Sequence, residues 1–235
     1  MNAKEFYEAF VNATNEQTIV RKEQIESTPD LADGKNTYLD IYRNHEAVYT
    51  ELINKNIIHN IIKEVEVDED IISENAEYLS EHPEYKKLVP QHEYFRIDCT
   101  GYQHRFFEID ADAAKSIGLN RHFWELKIAV EHENNKHDWM DEVIKLVHVR
   151  CPLKVVIGYN YYDQREDGDI SKLKFVSDWM QKLAAFDKNA KEEILVIIGN
   201  GAPASKNYPA YQTFDYRGYI FNYHAMEFKL IKKTM

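Results

Sequence analysis

The sequence predicts an α/β protein: a mixed central sheet with helices on both faces, a mainly helical part over residues 1–90 and a sheet-containing core over 91–235. Three observations predict it. The stretch Phe123 to Asn134 is apolar in its middle and rich in bulky, β-favouring residues, which marks a mostly buried strand. Two further apolar runs, Cys151 to Tyr159 and Ile194 to Ile198, are strands of the kind buried on both faces. Amphipathic helical stretches, His137 to Val149 and Ile170 to Phe186, separate these runs, and that alternation calls for layers of helix on sheet.

In chain order, Ala3 to Ala13 carries Phe6, Tyr7 and Phe10 at helical spacing, and Glu16 to Glu26 continues as a polar helix. Thr28-Pro29-Asp30 and Asp33-Gly34-Lys35-Asn36 punctuate a loop. From Tyr38 to Glu64, apolar residues recur at three- and four-residue steps, giving one long amphipathic helix or two in series. Val65 to Pro90 is acidic with weak periodicity, which suits short surface helices and loops. His92 to Tyr102 alternates as a strand, either ending there or running on through Arg105 to Ile109, and Asp110 to Asn120 reads as a connector. Two strand runs joined by one connector pair most simply as an antiparallel hairpin. In the helix from His137, the buried positions are Trp139, Val143, Leu146 and Val147. Tyr211 to Ile231 reads as a hairpin turning at Arg217-Gly218, followed by a small basic cluster of Lys229, Lys232 and Lys233. No repeat or linker divides the chain, so all 235 residues form one expected domain.

Composition narrows the function classes. No run approaches the roughly 18 apolar residues of a membrane span, and the charged start Met-Asn-Ala-Lys-Glu has no signal-peptide core, so the cytoplasm is the expected location. Cys99 and Cys151, both in strand-like surroundings, are expected to be buried thiols rather than a disulfide. The formal charge of −11 is the opposite of a nucleic-acid-binding footprint, so metal ions or a local basic patch would have to hold any phosphate; the same charge suits a basic protein partner.

The chemistry concentrates where the Phe123 strand ends, at Glu131-His132-Glu133-Asn134. Side chains alternate along a strand, so Glu131 and Glu133 share a face and His132 takes the other, where it is expected to pack. Two carboxylates on one face repel, and a divalent cation, a basic neighbour or protonation must offset that. Antiparallel pairing with the strand around Asp98 brings that acid to the same end. Asp98, Glu131 and Glu133 then form a hard-oxygen site suited to Mg or Mn, able to activate water for in-line attack on a phosphate.

An Asp on one strand, an acidic-x-acidic triplet on the next, then a helix (Asp141-Glu142-Val143-Ile144-Lys145-Leu146) and an apolar strand (Pro152 to Tyr159) resembles the PD-(D/E)XK, or restriction-endonuclease-like, superfamily. Ala129-Val130-Glu131-His132-Glu133-Asn134 is similar to uncharacterised bacterial members whose strand ends E-H-E-N, and the resemblance covers Glu93 to Tyr159. It implies a restriction-endonuclease-like fold and a magnesium-dependent nuclease, a hydrolase of phosphodiester bonds in nucleic acid. Asp98 and Glu131 would be metal ligands, with a further acid on the preceding helix, Glu51 ahead of Glu46. Glu133 stands where most members have Lys, so it would act as base or metal ligand. That departure and the acidic charge also support an alternative, a catalytically inactive protein of the same fold that binds a basic protein partner, as an immunity protein does. A subunit of a larger nuclease assembly, with DNA held by a basic partner, is a third reading.

Competing readings stay open. Glu125-Leu126-Lys127 is a literal E-x-K for which Asp110 or Asp112 would be the upstream acid; its bland counterpart is an exposed pair, salt-bridged across the strand entry. Glu131 and Glu133 also suit solvated strand-end acids or acids favoured by the positive end of the His137 helix. His137, His148 and the remaining histidines lack zinc-ligand spacing, and Asn200-Gly201-Ala202-Pro203 reads as a turn. The tyrosine groups at Tyr159, Tyr161 and Tyr162, and from Tyr208 to Tyr223, suit the edge of a core, base stacking or a protein interface.

Overall fold

The computed structural model describes residues 1–15, 18–21, 36–94, 96–104, 116, 124–135, 138–161, 165–201 and 213–231. Its centre is a seven-stranded mixed sheet whose strands lie side by side in chain order: β1 Val89–Tyr94, β2 Ile97–His104, β3 Trp124–His132, β4 Leu153–Tyr161, β5 Glu193–Gly201, β6 Arg217–Asn222 and β7 Glu227–Leu230. β1, β2 and β3 form an antiparallel meander, β3, β4 and β5 run parallel, and β6 and β7 return antiparallel.

Helices cover both faces. On one side lie α1 Ala3–Ala13, α2 Tyr38–Asn44, α3 Glu46–Leu52, a π-helical turn Ile53–Ile58, and α4 His59–Lys63, followed by the short α5 Glu69–Glu74 and α6 Ala76–Glu81. On the other lie α7 Trp139–Val147 and α8 Arg165–Met180. The period-two strand pattern divides the core accordingly. Val130, Val155, Ile157, Leu195 and Ile197 pack under the first layer, and Ala129, Val156, Val196 and Ile198 under the second.

Local sequence explains the element ends. Asn2 and Glu5 close a reciprocal capping box on α1, and Thr37 and Asp40 do the same on α2. In the π turn the His59 amide reaches the Asn54 carbonyl five residues back, so Asn54 is displaced toward the sheet, where its carbonyl lies 3.6 Å from Cys99 Sγ. Gly158 in β4 lets α7 sit close, because a Cβ there would lie 2.6 Å from Trp139 Cβ and Cγ.

Several expectations are corrected. His92 to Tyr102 is not one strand but the hairpin β1–β2, turned where Arg96 adopts φ 61°. Residues 18–21 are extended rather than helical, with Ile19 bridged to Thr37; the β-branched run Thr18-Ile19-Val20 favours that backbone. The C-terminal hairpin turns after Asn222, whose side chain accepts from the Ala225 amide, and Arg217-Gly218 begins β6. Asn200 and Gly201 are still in β5, paired with Asn160 and Tyr161. The second amphipathic helix spans Arg165–Met180, earlier than its hydrophobic pattern suggests. The proposed extension through Arg105 to Ile109, the rest of the polar helix after Glu16, Lys232 and Lys233 lie outside the described residues. Among the described residues no helix is long and apolar enough to cross a membrane.

Candidate functional site

β3 drives Ile128, Ala129 and Val130 through the middle of the sheet, and the next residue on the Ala129 side is Glu131, 2% exposed. Strand β2 runs past it with Thr100 opposite Ala129 and Cys99 opposite Val130. Asp98 and Glu131 are the next residues of the two strands beyond that last pair, close enough for Asp98 to act on the Glu131 carboxyl. The main chain fixes the pair, since the His132 amide donates to Asp98 Oδ2 at 2.8 Å.

A cation from the helix completes the arrangement. Lys145 Nζ lies 2.7 Å from Glu131 Oε1 and 2.7 Å from Glu142 Oε2. Its contact with Glu131 is an ion pair with a buried carboxylate oxygen. Burial pushes the Glu131 carboxyl up to about 8; Lys145 pulls it back, while Asp98 and Glu142 push it further. Asp98 is raised as well, by burial first, against the pull of the His132 amide. Burial also draws the Lys145 amine down, but Glu131 and Glu142 outweigh it and leave the amine above the ordinary lysine range. The site therefore holds two neighbouring carboxyls whose ionised forms are disfavoured, with one ammonium beside them.

The other expected site residues fall elsewhere. Glu133 follows the end of β3, where its amide donates to the Ile157 carbonyl at 2.9 Å and its Oε1 accepts from the Asn135 amide at 2.6 Å. Its carboxylate thus closes a local turn instead of sharing Lys145 with Glu131. Glu51 is half exposed on α3, paired with Lys55 at 2.5 Å, and α3 belongs to the layer on the opposite face of the sheet from Glu131. Glu46 is exposed on the same helix. Among the described residues no group of three or more His, Cys, Asp or Glu side chains is arranged to hold a metal ion.

His132 turns away from the acids and packs, as alternation requires. It is 4% exposed, and burial pulls its imidazole down to about 3, so the ring is neutral. Nδ1 lies 3.1 Å from Asn54 Oδ1, leaving Nε2 to accept from the Tyr159 hydroxyl at 3.2 Å. Tyr159 in turn meets Tyr49 at 2.8 Å and Tyr216 at 3.2 Å, and Tyr49 meets Tyr216 at 2.6 Å. These tyrosines are a buried polar knot within the core.

The rival E-x-K is structural. Lys127 pairs with Asp68 at 2.7 Å, and the fully buried Gln103 donates to Glu125 at 2.7 Å and to Asp68 at 2.9 Å. This network ties the far end of the β2–β3 pair to the start of α5; Asp110 and Asp112 lie outside the described residues. Cys99 and Cys151 are free and buried, and burial holds both thiols protonated, Cys151 at about 12.

Lys145 is the residue that sequence reasoning missed. Its signal was present: it sits beside the buried positions Val143, Leu146 and Val147, on the helix that follows the Glu131 strand and packs over the same face. Set against family models, curated proteins and solved structures, the chain matches none of them, so the chemistry of the site has to be read from its own residues.

Proposed function

We propose that the chain is a metal-dependent, restriction-endonuclease-like hydrolase of phosphodiester bonds in nucleic acid, with Asp98 and Glu131 as ligands for Mg²⁺ or Mn²⁺. One observation carries the reading: a buried and a half-buried acid at the same end of adjacent strands, both held above their ordinary range. A divalent cation relieves that repulsion, and Mg²⁺ commonly takes only one or two protein carboxylates, filling its shell with water and phosphate oxygens. The donor set fits such an ion even without a third acid.

The order of elements supports the family reading too, with Asp98 on β2, Glu131 on β3, then α7 and the apolar β4 parallel to β3. When bound, the metal would supply an activated water and charge neutralisation at the phosphate. The chain's own part is to fix Asp98 through the His132 amide and to present Lys145 beside Glu131, where its ammonium orients water or meets the charge that grows on phosphate. Lys145 thereby takes over from the helix the work expected of the lysine that Glu133 replaces. Glu51 has no part in this reading, because it stands on the opposite layer. The test is cleavage of single- and double-stranded DNA and RNA in Mg²⁺ or Mn²⁺, with loss of cleavage in Asp98→Asn and Lys145→Met.

Two observations favour the alternative of an inactive module with a basic partner: Lys145 already pairs with Glu131, and the chain carries a charge of −11. In that case metals leave the protein unchanged and no substrate is cut.

A further inference from the structure

A second polar cluster lies on the same face and at the same end of the sheet as Asp98 and Glu131, at the carboxyl ends of the parallel strands β4 and β5. Its centre is Asp169 of α8, fully buried, which accepts from Asn160 Nδ2 at 2.5 Å, from Arg217 Nε at 2.5 Å and from the Tyr219 hydroxyl at 3.0 Å. Arg217 Nη1 donates to Asn200 Oδ1 at 2.9 Å and lies 3.7 Å from the exposed Asp215. Lys172 Nζ donates to Asn160 Oδ1 at 2.5 Å, and the Trp139 indole N–H approaches the same oxygen at 3.4 Å.

Holding β6 to α8 needs only the Arg217–Asp169 pair, yet the cluster contains more. Asn160 and Asn200 are paired with one another one residue before the ends of adjacent parallel strands, and both are buried. Arg217 Nη2 is buried and has no hydrogen-bond partner among the described residues, a costly state for a guanidinium. Two cations, Lys172 and Arg217, and two acids, Asp169 and Asp215, meet on the edge where open α/β sheets receive ligands. A planar fork with an unused arm beside a flexible ammonium is suited to an oxyanion with several oxygens.

We propose that Arg217 and Lys172 form a subsite for a phosphate group, with Asn160 and Asn200 setting their geometry. The group is either a free phosphate or a phosphate of a nucleic-acid backbone. Since no metal ligand belongs to the cluster, the subsite stands independently of the ion at Asp98 and Glu131.

The experiment is a titration of the ¹⁵N-labelled full chain in EDTA with inorganic phosphate, against chloride at matched ionic strength, following the Trp139 indole resonance. Phosphate should shift that resonance saturably and chloride should not. Lys172→Gln, on a half-buried side chain, should weaken binding by about tenfold, and Arg217→Lys, which keeps the charge but loses the second arm of the fork, should remove it. A Trp139 resonance unmoved by phosphate, or a phosphate response unchanged in Lys172→Gln, would overturn the proposal. A second arm adds a short single-stranded oligonucleotide: competition with phosphate assigns the subsite to the nucleic-acid backbone, and its absence assigns it to free phosphate. Asp98→Asn serves as the control, since it abolishes the proposed metal site and should leave the phosphate response intact.

Discussion

Asp98 is clamped by the amide of His132, the residue after Glu131, at 2.8 Å, one step beyond the Cys99–Val130 pair that ends the β2–β3 ladder. The Asp98 charge raises the Glu131 carboxyl and so costs stability wherever Glu131 is ionised. Asp98→Asn keeps an acceptor for the His132 amide while removing one charge. It should therefore stabilise the metal-free protein by about 1 kcal/mol, a rise in Tm of about 2–4 °C for a chain of this size. Calorimetric melting in EDTA measures it; a fall in Tm would mean that the two carboxyls do not oppose one another.

Stability should depend on pH from both sides of this hairpin. The Glu131 carboxyl, ordinarily near 4.5, sits at about 8 in the folded chain, so its contribution is complete below 4.5 and is lost as pH rises through 8. His132, ordinarily near 6.5, sits at about 3, so its contribution is complete above 6.5 and is lost as pH falls through 3. Denaturation in EDTA between about pH 5 and 9 should show an alkaline decline that Glu131→Gln flattens. Mg²⁺ should flatten it in the wild type as well.

The tyrosine knot supports the site from behind, because His132 gives its amide to Asp98 and its ring to Tyr159. Tyr159→Phe removes the hydroxyl shared by His132, Tyr49 and Tyr216 and should cost about 1–3 kcal/mol. Denaturant unfolding checks it, and an unchanged midpoint would show that the remaining hydroxyls and the ring reconnect without it.

Gly158→Ala should act through Trp139. The added methyl would lie 2.6 Å from the indole stem, so α7 has to shift, at a cost of about 1–3 kcal/mol. Because Lys145 rides on α7, the same substitution should weaken its pair with Glu131, seen as a lower amine pKa by NMR.

Much of this was legible in the sequence. The Phe123 run, the two apolar strands and the helix burying Trp139, Val143, Leu146 and Val147 declare themselves through hydrophobic period, and the mixed sheet with helices on both faces follows from their order. The Arg96 turn was hidden because a non-glycine residue takes the left-handed conformation there, and turn chemistry normally announces itself with Gly or Asn. Arg217-Gly218 misled for the converse reason: this Gly is set by close packing, a Cβ there lying 2.6 Å from Tyr7, and not by a turn. The nearness of Asp98 to Glu131 depended on hairpin register, which alternation constrained. Lys145 was missed because its partner lies on a different element: its place beside the buried positions of α7 was legible, but its contact with Glu131 was not.

The most direct measurement is calorimetric titration of Mn²⁺ into the metal-free chain, its Asp98→Asn and Glu131→Gln variants, and Glu51→Gln as a control on the opposite layer. The account predicts stoichiometric binding by the wild type and by Glu51→Gln, lost in both other variants while they stay folded. A wild type that takes up no Mn²⁺, or binding that survives in both Asp98→Asn and Glu131→Gln, would contradict it.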